Sequence, residues 1–347
     1  MREFDYGKLK SVKWDNEVLG LVSQIHEYKG KETLFLKQKT ATLNKLVEIA
    51  KIQSTEASNK IEGIVTTATR IKQLCDQKTT PRTRDEEEIS GYRDALSLIH
   101  ESYDYIPLKS SYILQLHQVL YRYSQRGIGG RYRNTQNYIA EVTENGEQIV
   151  RFMPLDPFET PTAIDAICES FNRETDDCEI DQLILIPAFI VDFLCIHPFN
   201  DGNGRMSRLL TTLLLYRAGY SVGRYVSLES KIEKTKESYY ESLKKSDINW
   251  DSGQNDITPF IKYILRTVLA AYRDFEERVT LIGGNGSSLD LVKNAVNNII
   301  GKFTKSDIME RVPSIGKTSV ENALKILLQD GLIGREGKGK ATFYFRK

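Results

Sequence analysis

Residues His197–Arg208 read HPFNDGNGRMSR and directly follow the most apolar run of this 347-residue chain, Leu183–Ile196 (LILIPAFIVDFLCI). Residues 202–204 (GNG) tolerate a left-handed backbone, so consecutive N–H groups can point into one concavity that suits a phosphate. A helix that starts near Arg205 adds the positive end of its dipole to that concavity. The segment therefore predicts a buried helix, an anion-binding loop and a second helix.

The side chains of this segment indicate the chemistry of the loop. Arg205 and Arg208 are three residues apart on the predicted helix, so they share a face and could form a fork around phosphate oxygens. Asp201 is a hard oxygen ligand that suits Mg²⁺ beside phosphates. His197 titrates near neutrality, as a general base for a hydroxyl would. Together these residues predict phosphoryl or nucleotidyl transfer, although an ordinary turn at DGNG is the alternative from residue chemistry alone.

Composition and charge place the chain among ordinary folded proteins of a reducing compartment. Lys plus Arg is 48 and Asp plus Glu is 47, so no overall charge would hold a polyanion or a membrane surface. The apolar run is interrupted by Pro187 and Asp192 and is too short to span a bilayer. The N-terminus has no apolar signal-peptide region. The four cysteines show no CxxC spacing, which favours free thiols, and we expect a cytoplasmic protein without membrane partners.

The loop segment resembles the signature of the Fic family, H-P-F-x-[DE]-G-N-G-R-x-x-R, at every fixed position. The resemblance covers roughly Ser110 to Leu265. It implies transfer of AMP from ATP to a protein hydroxyl with release of pyrophosphate, with His197 as the base, Asp201 holding Mg²⁺ and Phe199 anchoring the loop. By the same resemblance, the residues that bind the nucleotide are Gly202, Asn203, Gly204, Arg205, Arg208 and Tyr239.

A hairpin is predicted upstream of the loop, with strands at Tyr138–Glu144 and Glu147–Met153 around the turn pair Asn145-Gly146. In Fic-type proteins, which this chain resembles, such a hairpin is a flap over the site. An exposed strand edge can align an incoming target segment by main-chain pairing. A hairpin that only covers the core is the alternative. The residues expected to form the flap and dock the target are Tyr138, Ile139, Val150 and Phe152.

A second motif, Ser58–Gly63 (SNKIEG), is similar to the inhibitory motif [ST]-x-x-x-E-[GN] of some Fic proteins. Ser58 and Glu62 are four residues apart on one helix face, and Gly63 is a natural helix stop. By this resemblance Glu62 pairs with Arg208 and takes the arginine that the γ-phosphate needs. An ordinary helix end is the other interpretation.

The last part of the chain predicts a separate module after the linker Gly283–Ser288 (GGNGSS). Capping boxes are expected at Thr304–Asp307 and Thr318–Glu321, followed by a hairpin, which outlines a winged helix-turn-helix. The last 58 residues carry 11 basic and 6 acidic residues. DNA binding and protein docking both stay open for this module. The residues expected to contact DNA are Lys317, Ser319, Lys325 and Lys338.

The sequence thus predicts a mainly α protein, with a Fic-type helical core, a β-hairpin flap and a C-terminal winged helix-turn-helix. We expect an N-terminal helical region at 1–109 that carries the inhibitory motif and a catalytic core at 110–270. A helix end and linker at 271–286 then precede the winged helix at 287–347. The function expected by resemblance is AMP transfer to a target protein, including self-modification, restrained by Glu62. The alternatives are AMP removal, in which Glu62 orients a water, and a DNA-binding regulator that senses a nucleotide. A homodimer is left open.

Overall fold

A computed structural model describes residues 2–36, 40–142, 148–283, 287–299, 301–312, 315–337, 339 and 342–346. The chain is mainly helical, as predicted. The helices are α1 (Asn16–Leu36), α2 (Thr40–Ile61), α3 (Ala68–Cys75), α4 (Arg84–Ser102), α5 (Ser110–Leu120), α6 (Thr160–Asp177), α7 (Gln182–Ile196), α8 (Asn203–Arg217), α9 (Leu228–Lys234), α10 (Lys236–Ser246), α11 (Thr258–Gly283), α12 (Ser288–Asn297), α13 (Lys305–Arg311) and α14 (Lys317–Gln329). The strands are β1 (Ile139–Val142), β2 (Gln148–Phe152), β3 (Lys302–Phe303), β4 (Ile333–Glu336) and β5 (Phe343–Arg346).

The apolar helix α7 lies at the centre of the main core and packs against α6, α8 and α11. Its one acidic residue, Asp192, is buried, but its carboxylate accepts a 2.6 Å hydrogen bond from Trp250 Nε1 and pairs with Arg2 at 3.2 Å. These partners offset the cost of burying the charge. Since α7 is packed on three sides, its C-terminal end gives the following loop a rigid base.

Two neighbours of this central layer complete the frame of the site. Helix α2 packs along α4 and α9, so that its C-terminal end comes close to the start of α8. Strands β1 and β2 form an antiparallel hairpin with a register shift between Ile139 and Ala140, which leaves Arg151 as an extra residue on β2. The bulge directs Arg151 to Asp247, with 2.6 Å between Nη1 and Oδ2. The predicted turn Asn145-Gly146 lies outside the described residues.

The C-terminal part has its own apolar core, formed by α12, α13, α14 and the sheet β3-β5-β4. The Thr304–Asp307 capping box is confirmed, but the one predicted at Thr318–Glu321 is wrong. Helix α14 begins at Lys317 with Gly316 as its cap, so Thr318 already lies inside the helix. The winged-helix assignment and the domain boundaries stay predictions, and the boundary expected at residue 270 falls within α11.

Two expectations from composition can be compared with the described part of the chain. Cys75, Cys168, Cys178 and Cys195 all lie in it and are free thiols. Among the described residues, no helix combines the length and the apolar character needed to cross a bilayer.

Candidate active site

His197 lies at the junction between α7 and the loop, in a left-handed conformation with a φ of 53°. Its N–H donates to Phe193 O at 3.0 Å and closes the last turn of α7. The ring Nδ1 lies 3.2 Å from Leu194 O, which places the hydrogen on Nδ1 and leaves the lone pair on Nε2. Burial lowers the pKa of His197 to about 4. The imidazole is therefore neutral and can accept a proton at Nε2.

A cavity of about 670 Å³ opens beside His197. Its walls come from the end of α7, the start of α8, the hairpin and α10, and Glu62 also lines it. Of the four residues predicted for the flap, Ile139 and Phe152 line this cavity, whereas Tyr138 and Val150 are exposed. The hairpin therefore lies over the site, and target docking stays a prediction.

The loop itself is held by hydrogen bonds from within the core. Arg133 is buried and donates from Nε to His197 O at 2.9 Å, and its backbone N–H donates to Pro198 O at 2.9 Å. The Asn203 amide group donates to Phe199 O at 2.7 Å and accepts from Phe199 N–H at 2.9 Å. This side chain, predicted to bind phosphate, thus shapes the loop in the structure. Of residues 202–204, only Gly202 has a left-handed backbone, with a φ of 88°. Asn203 and Gly204 already belong to α8, which begins two residues before the predicted start near Arg205.

Asp201, the predicted metal ligand, is ionised and paired with an arginine. Burial opposes its charge, but the Arg126 hydrogen bond and the charge of Arg205 lower the pKa of Asp201 below its usual value. Arg126 Nη1 lies 2.6 Å from Asp201 Oδ2. Among the described residues, no group of three or more His, Cys, Asp or Glu side chains could hold a metal ion. Asp201 therefore offers a single carboxylate, which suits an ion that takes its other ligands from phosphates and water.

Arg205 and Arg208 do not form the predicted fork. Arg205 is 1% exposed and points away from the cavity, where its Nη2 lies 2.7 Å from both Glu88 Oε2 and Tyr121 Oη. The three-residue spacing does place both arginines on one side of α8. In the packed molecule, however, one part of that side faces the core and the other part faces the cavity. Of these two arginines, Arg208 lines the cavity and Arg205 does not.

Arg208 makes the contact predicted from the second motif. Its Nη2 donates to Glu62 Oε1 at 2.8 Å and to the Ser58 carbonyl at 2.9 Å, and its Nε donates to Ser58 Oγ at 2.8 Å. We call this set of contacts the latch. Burial opposes the charge on Arg208, but the Glu62 carboxylate raises the pKa of Arg208 above its ordinary value. A side chain at Gly204 would overlap the Glu62 carboxylate, which therefore lies against the first turn of α8. Gly63 follows with a φ of 79°, as expected for a helix stop.

Tyr239 and Tyr240 lie on α10 at the opposite wall of the cavity. Tyr239 is buried, and burial raises its pKa. Tyr240 is 43% exposed, and its ring centroid lies 5.3 Å from that of Tyr239. Both tyrosines thus line the cavity, and the contact of Tyr239 with a nucleotide stays a prediction.

Three of the four residues predicted to contact DNA lie on α14. Lys317 and Lys325 are exposed on this helix and Ser319 is partly buried, whereas Lys338 lies outside the described residues. Contact with DNA stays a prediction.

Sequence reasoning missed Arg133, His117 and Glu88, which support the loop from other helices and turns. His117 Nε2 lies 3.1 Å from the Asp201 carbonyl oxygen. The glycine-rich run 127–133 (GIGGRYR) was the available signal, because glycines allow close approach of a backbone to its neighbours. The pairing of these residues with the loop depends on long-range packing that spacing does not reveal.

Comparison with known proteins agrees with this geometry. Residues 107–215 match the family model described as Fic/DOC family. The chain contains a Fic domain. The matched residues run from just before α5 to near the end of α8, and so include His197, the loop and Arg208.

Relatives and solved structures extend the similarity beyond this Fic domain. Protein adenylyltransferase fic-1 of Caenorhabditis elegans is 26% identical over 236 residues, which is 66% of this chain and 40% of that protein. Protein adenylyltransferase Fic of Nematostella vectensis is 25% identical over 240 residues, covering 65% of this chain and 48% of that protein. The chain thus spans less than half the length of these curated relatives. A Fic family protein from Desulfovibrio desulfuricans G20 superposes with a TM-score of 0.63 at 23% identity, covering 97% of both chains, which supports the fold.

Proposed function

We propose that this chain transfers AMP from ATP to a hydroxyl group of a target protein and that the latch restrains this activity. The observation that carries the proposal is that His197 and Arg208 line one cavity beneath the hairpin while Glu62 binds Arg208. A base and a cation in one cavity suit the transfer of a phosphate-linked group to a hydroxyl. The names of the relatives as protein adenylyltransferases support the choice of AMP.

The residues would act as follows. His197 Nε2 accepts the proton of the target hydroxyl, whose oxygen attacks the α-phosphorus of ATP. The bond between that phosphorus and the bridging oxygen breaks, and pyrophosphate leaves. Arg208, once released from Glu62, neutralises charge on the phosphates, and the N–H groups at the start of α8 face the same anion.

Asp201 is the residue that would hold Mg²⁺. Its single ionised carboxylate fits an ion that completes its shell with phosphate oxygens and water. When bound, the ion would neutralise phosphate charge. Arg126 would then have to give up its contact with the Asp201 carboxylate.

The restraint follows from the latch. The Glu62 carboxylate lies against Gly204, at the positive end of α8 where phosphates would bind, and it holds Arg208. Two anions cannot occupy this position together without strong repulsion. ATP would therefore bind productively only after Glu62 leaves Arg208.

Incubation with ATP labelled in the adenine or α-phosphate tests the proposal. We expect weak labelling of the parent chain itself, strong labelling of Glu62→Gly and none of Glu62→Gly/His197→Ala. ATP labelled in the γ-phosphate should give no labelled protein, because that phosphate leaves with pyrophosphate. Label retained from the γ-phosphate would instead indicate kinase chemistry and overturn the proposal.

The position of Glu62 also supports the reverse reaction as a second candidate. Glu62 and His197 line the same cavity, so a carboxylate is available to orient a water toward an AMP-modified side chain. Isolated AMP-modified protein, incubated with the parent chain and with Glu62→Gln, distinguishes the two directions. Release of AMP by the parent alone would favour removal.

A further inference from the structure

We propose that His117 is a positioning residue for this reaction, and that it locks the Asp201–Gly202 peptide and through it the Asp201 carboxylate. The inference rests on the proposed function, since it concerns the same loop. His117 lies on α5, far from the loop in sequence, and is fully buried.

Both ring nitrogens of His117 are used. Nδ1 accepts a hydrogen bond from Gly130 N–H at 3.0 Å, which places the ring hydrogen on Nε2. Nε2 therefore donates to the Asp201 carbonyl oxygen at 3.1 Å. The ring thus joins two glycine-containing segments, the run before Arg133 and the anion loop, in one neutral tautomer.

The orientation of the ring is fixed by stacking. The His117 and Phe199 rings are 3.7 Å apart at their centroids and are inclined by 4°. Phe199 is itself held by the reciprocal hydrogen bonds with Asn203. A tilt of the imidazole would open this stack, so the Nε2 donor keeps its direction toward Asp201.

This donor holds one peptide group of the anion loop in place. In a trans peptide the C=O and N–H groups point in opposite directions. The Asp201 carbonyl faces His117, so the Gly202 N–H points to the opposite side of this peptide. Gly202 has a φ of 88°, which glycine adopts without strain, and a Cβ at this position would lie 2.9 Å from the Tyr121 ring, so the loop backbone is packed closely here. Loss of the His117 donor would leave the Asp201 carbonyl without this partner, and a shift of its backbone would move the attached carboxylate, which we assign to the metal.

An apolar residue could fill the same space on Phe199, so packing alone does not require a histidine here. To hold the Asp201 carbonyl, the side chain at position 117 must carry a hydrogen-bond donor that points toward it. Two substitutions separate the hydrogen bonds: glutamine places its amide N–H₂ near Nε2, and asparagine places its oxygen near Nδ1. His117→Gln thus keeps the donor to Asp201, and His117→Asn keeps only the acceptor for Gly130.

The experiment compares these variants in the Glu62→Gly background by Mn²⁺ titration with a non-hydrolysable ATP analogue, monitored by electron paramagnetic resonance. Thermal unfolding and AMP transfer are measured in parallel. We expect both variants to lower Tm by similar amounts. The Mn²⁺ affinity of His117→Gln should stay within about threefold of the parent, whereas that of His117→Asn should fall at least tenfold. Tenfold corresponds to about 1.4 kcal/mol, within the range of one hydrogen bond. The matched control is His100→Asn, at a buried histidine whose Nε2 lies 3.2 Å from Tyr216 Oη, and it should leave Mn²⁺ affinity unchanged.

Equal Mn²⁺ affinities for His117→Gln and His117→Asn would overturn the proposal, and so would a similar loss in His100→Asn. If His117→Asn does not fold, His117→Phe, which keeps the stack without either hydrogen bond, replaces it in the same titration. Because Mn²⁺ binding is measured without turnover, a failure of the positioning role can be distinguished from a failure of AMP transfer. If His117→Gln and His117→Asn differ in Mn²⁺ affinity but no AMP transfer is detected, the positioning role is supported and the transfer proposal is refuted.

Discussion

Replacement of Glu62 by glycine should raise AMP transfer by about tenfold to 150-fold. The change removes the carboxylate from Arg208 Nη2, which lies 2.8 Å from Glu62 Oε1, and leaves both hydrogen bonds from Arg208 to Ser58 in place. The arginine is thus freed but not disoriented. Helix α2 ends at Ile61, so glycine at position 62 lies outside the helix and should cost little stability.

The magnitude follows from the environment of the pair. At this separation and an effective dielectric near 20, two unit charges attract by about 6 kcal/mol before desolvation is subtracted. The Glu62 side chain is 30% exposed, so water screens part of this attraction. A hydrogen bond to a charged group contributes about 1.5–3 kcal/mol net. Since about 1.4 kcal/mol is a factor of ten in rate, the expected gain is about tenfold to 150-fold.

The assay is the initial rate of AMP incorporation, with purified variants compared at equal concentration and equal folded fraction. Glu62→Gln keeps an acceptor without the charge and should give an intermediate gain. Glu237→Gln is the matched control, because Glu237 lines the same cavity but has no contact with Arg208 among the described residues. Glu62→Gly/Arg208→Ala should return to the parent rate or below.

An unchanged or lower rate for Glu62→Gly, with folding and ATP binding intact, would refute the restraint. An equal gain for Glu237→Gln would refute its specificity, because the removal of any cavity carboxylate would then be enough.

Three further predictions concern the base, the metal ligand and the C-terminal module. Burial lowers the pKa of His197 to about 4, so His197 stays neutral above that pH. The value of kcat/KM for ATP should therefore fall only below about pH 5. A fall centred near pH 6.5 would contradict this prediction. Asp201→Asn should raise the Mg²⁺ concentration that gives half-maximal transfer at least tenfold, because an amide brings no charge to the ion, and an unchanged midpoint would place the ligand elsewhere. A chain that ends at Gly283 should keep transfer within about threefold, because the two apolar cores are separate; a loss of folding would show that the cores depend on each other.

The parts of the site that the sequence predicted correctly are those whose geometry is local. The loop His197–Arg208 is a short turn between two helices, so its glycines and its helix start determine most of its shape. The contact between Glu62 and Arg208 joins distant segments, and spacing alone would not have found it. It was predicted because each segment resembled a family motif, and the structure confirms the contact.

The parts that the sequence missed depend on which way a helix face turns in the packed molecule. Arg205 shares a side of α8 with Arg208, but Glu88 and Tyr121 draw it into the core. His117 has no neighbour in sequence that marks it as more than a packed histidine, and its partners come from two separate loops. The cap of α14 at Gly316 was missed for a related reason, because the Thr318–Glu321 spacing fits a capping box wherever the helix begins.

The anchoring of α2 determines how a release experiment should be interpreted. Lys236 Nζ donates to Ile61 O at 2.6 Å, and Lys60 pairs with Glu233 at 2.8 Å, so the end of α2 is tied to α9 and α10 just before Glu62. Ser58 adds a third attachment through Arg208 itself. These contacts remain when only the Glu62 carboxylate is removed, and α2 should therefore stay in place. If Glu62→Gly increases AMP transfer, the increase would then be due to the loss of one negative charge from the phosphate position. It would not be due to movement of α2 away from the site.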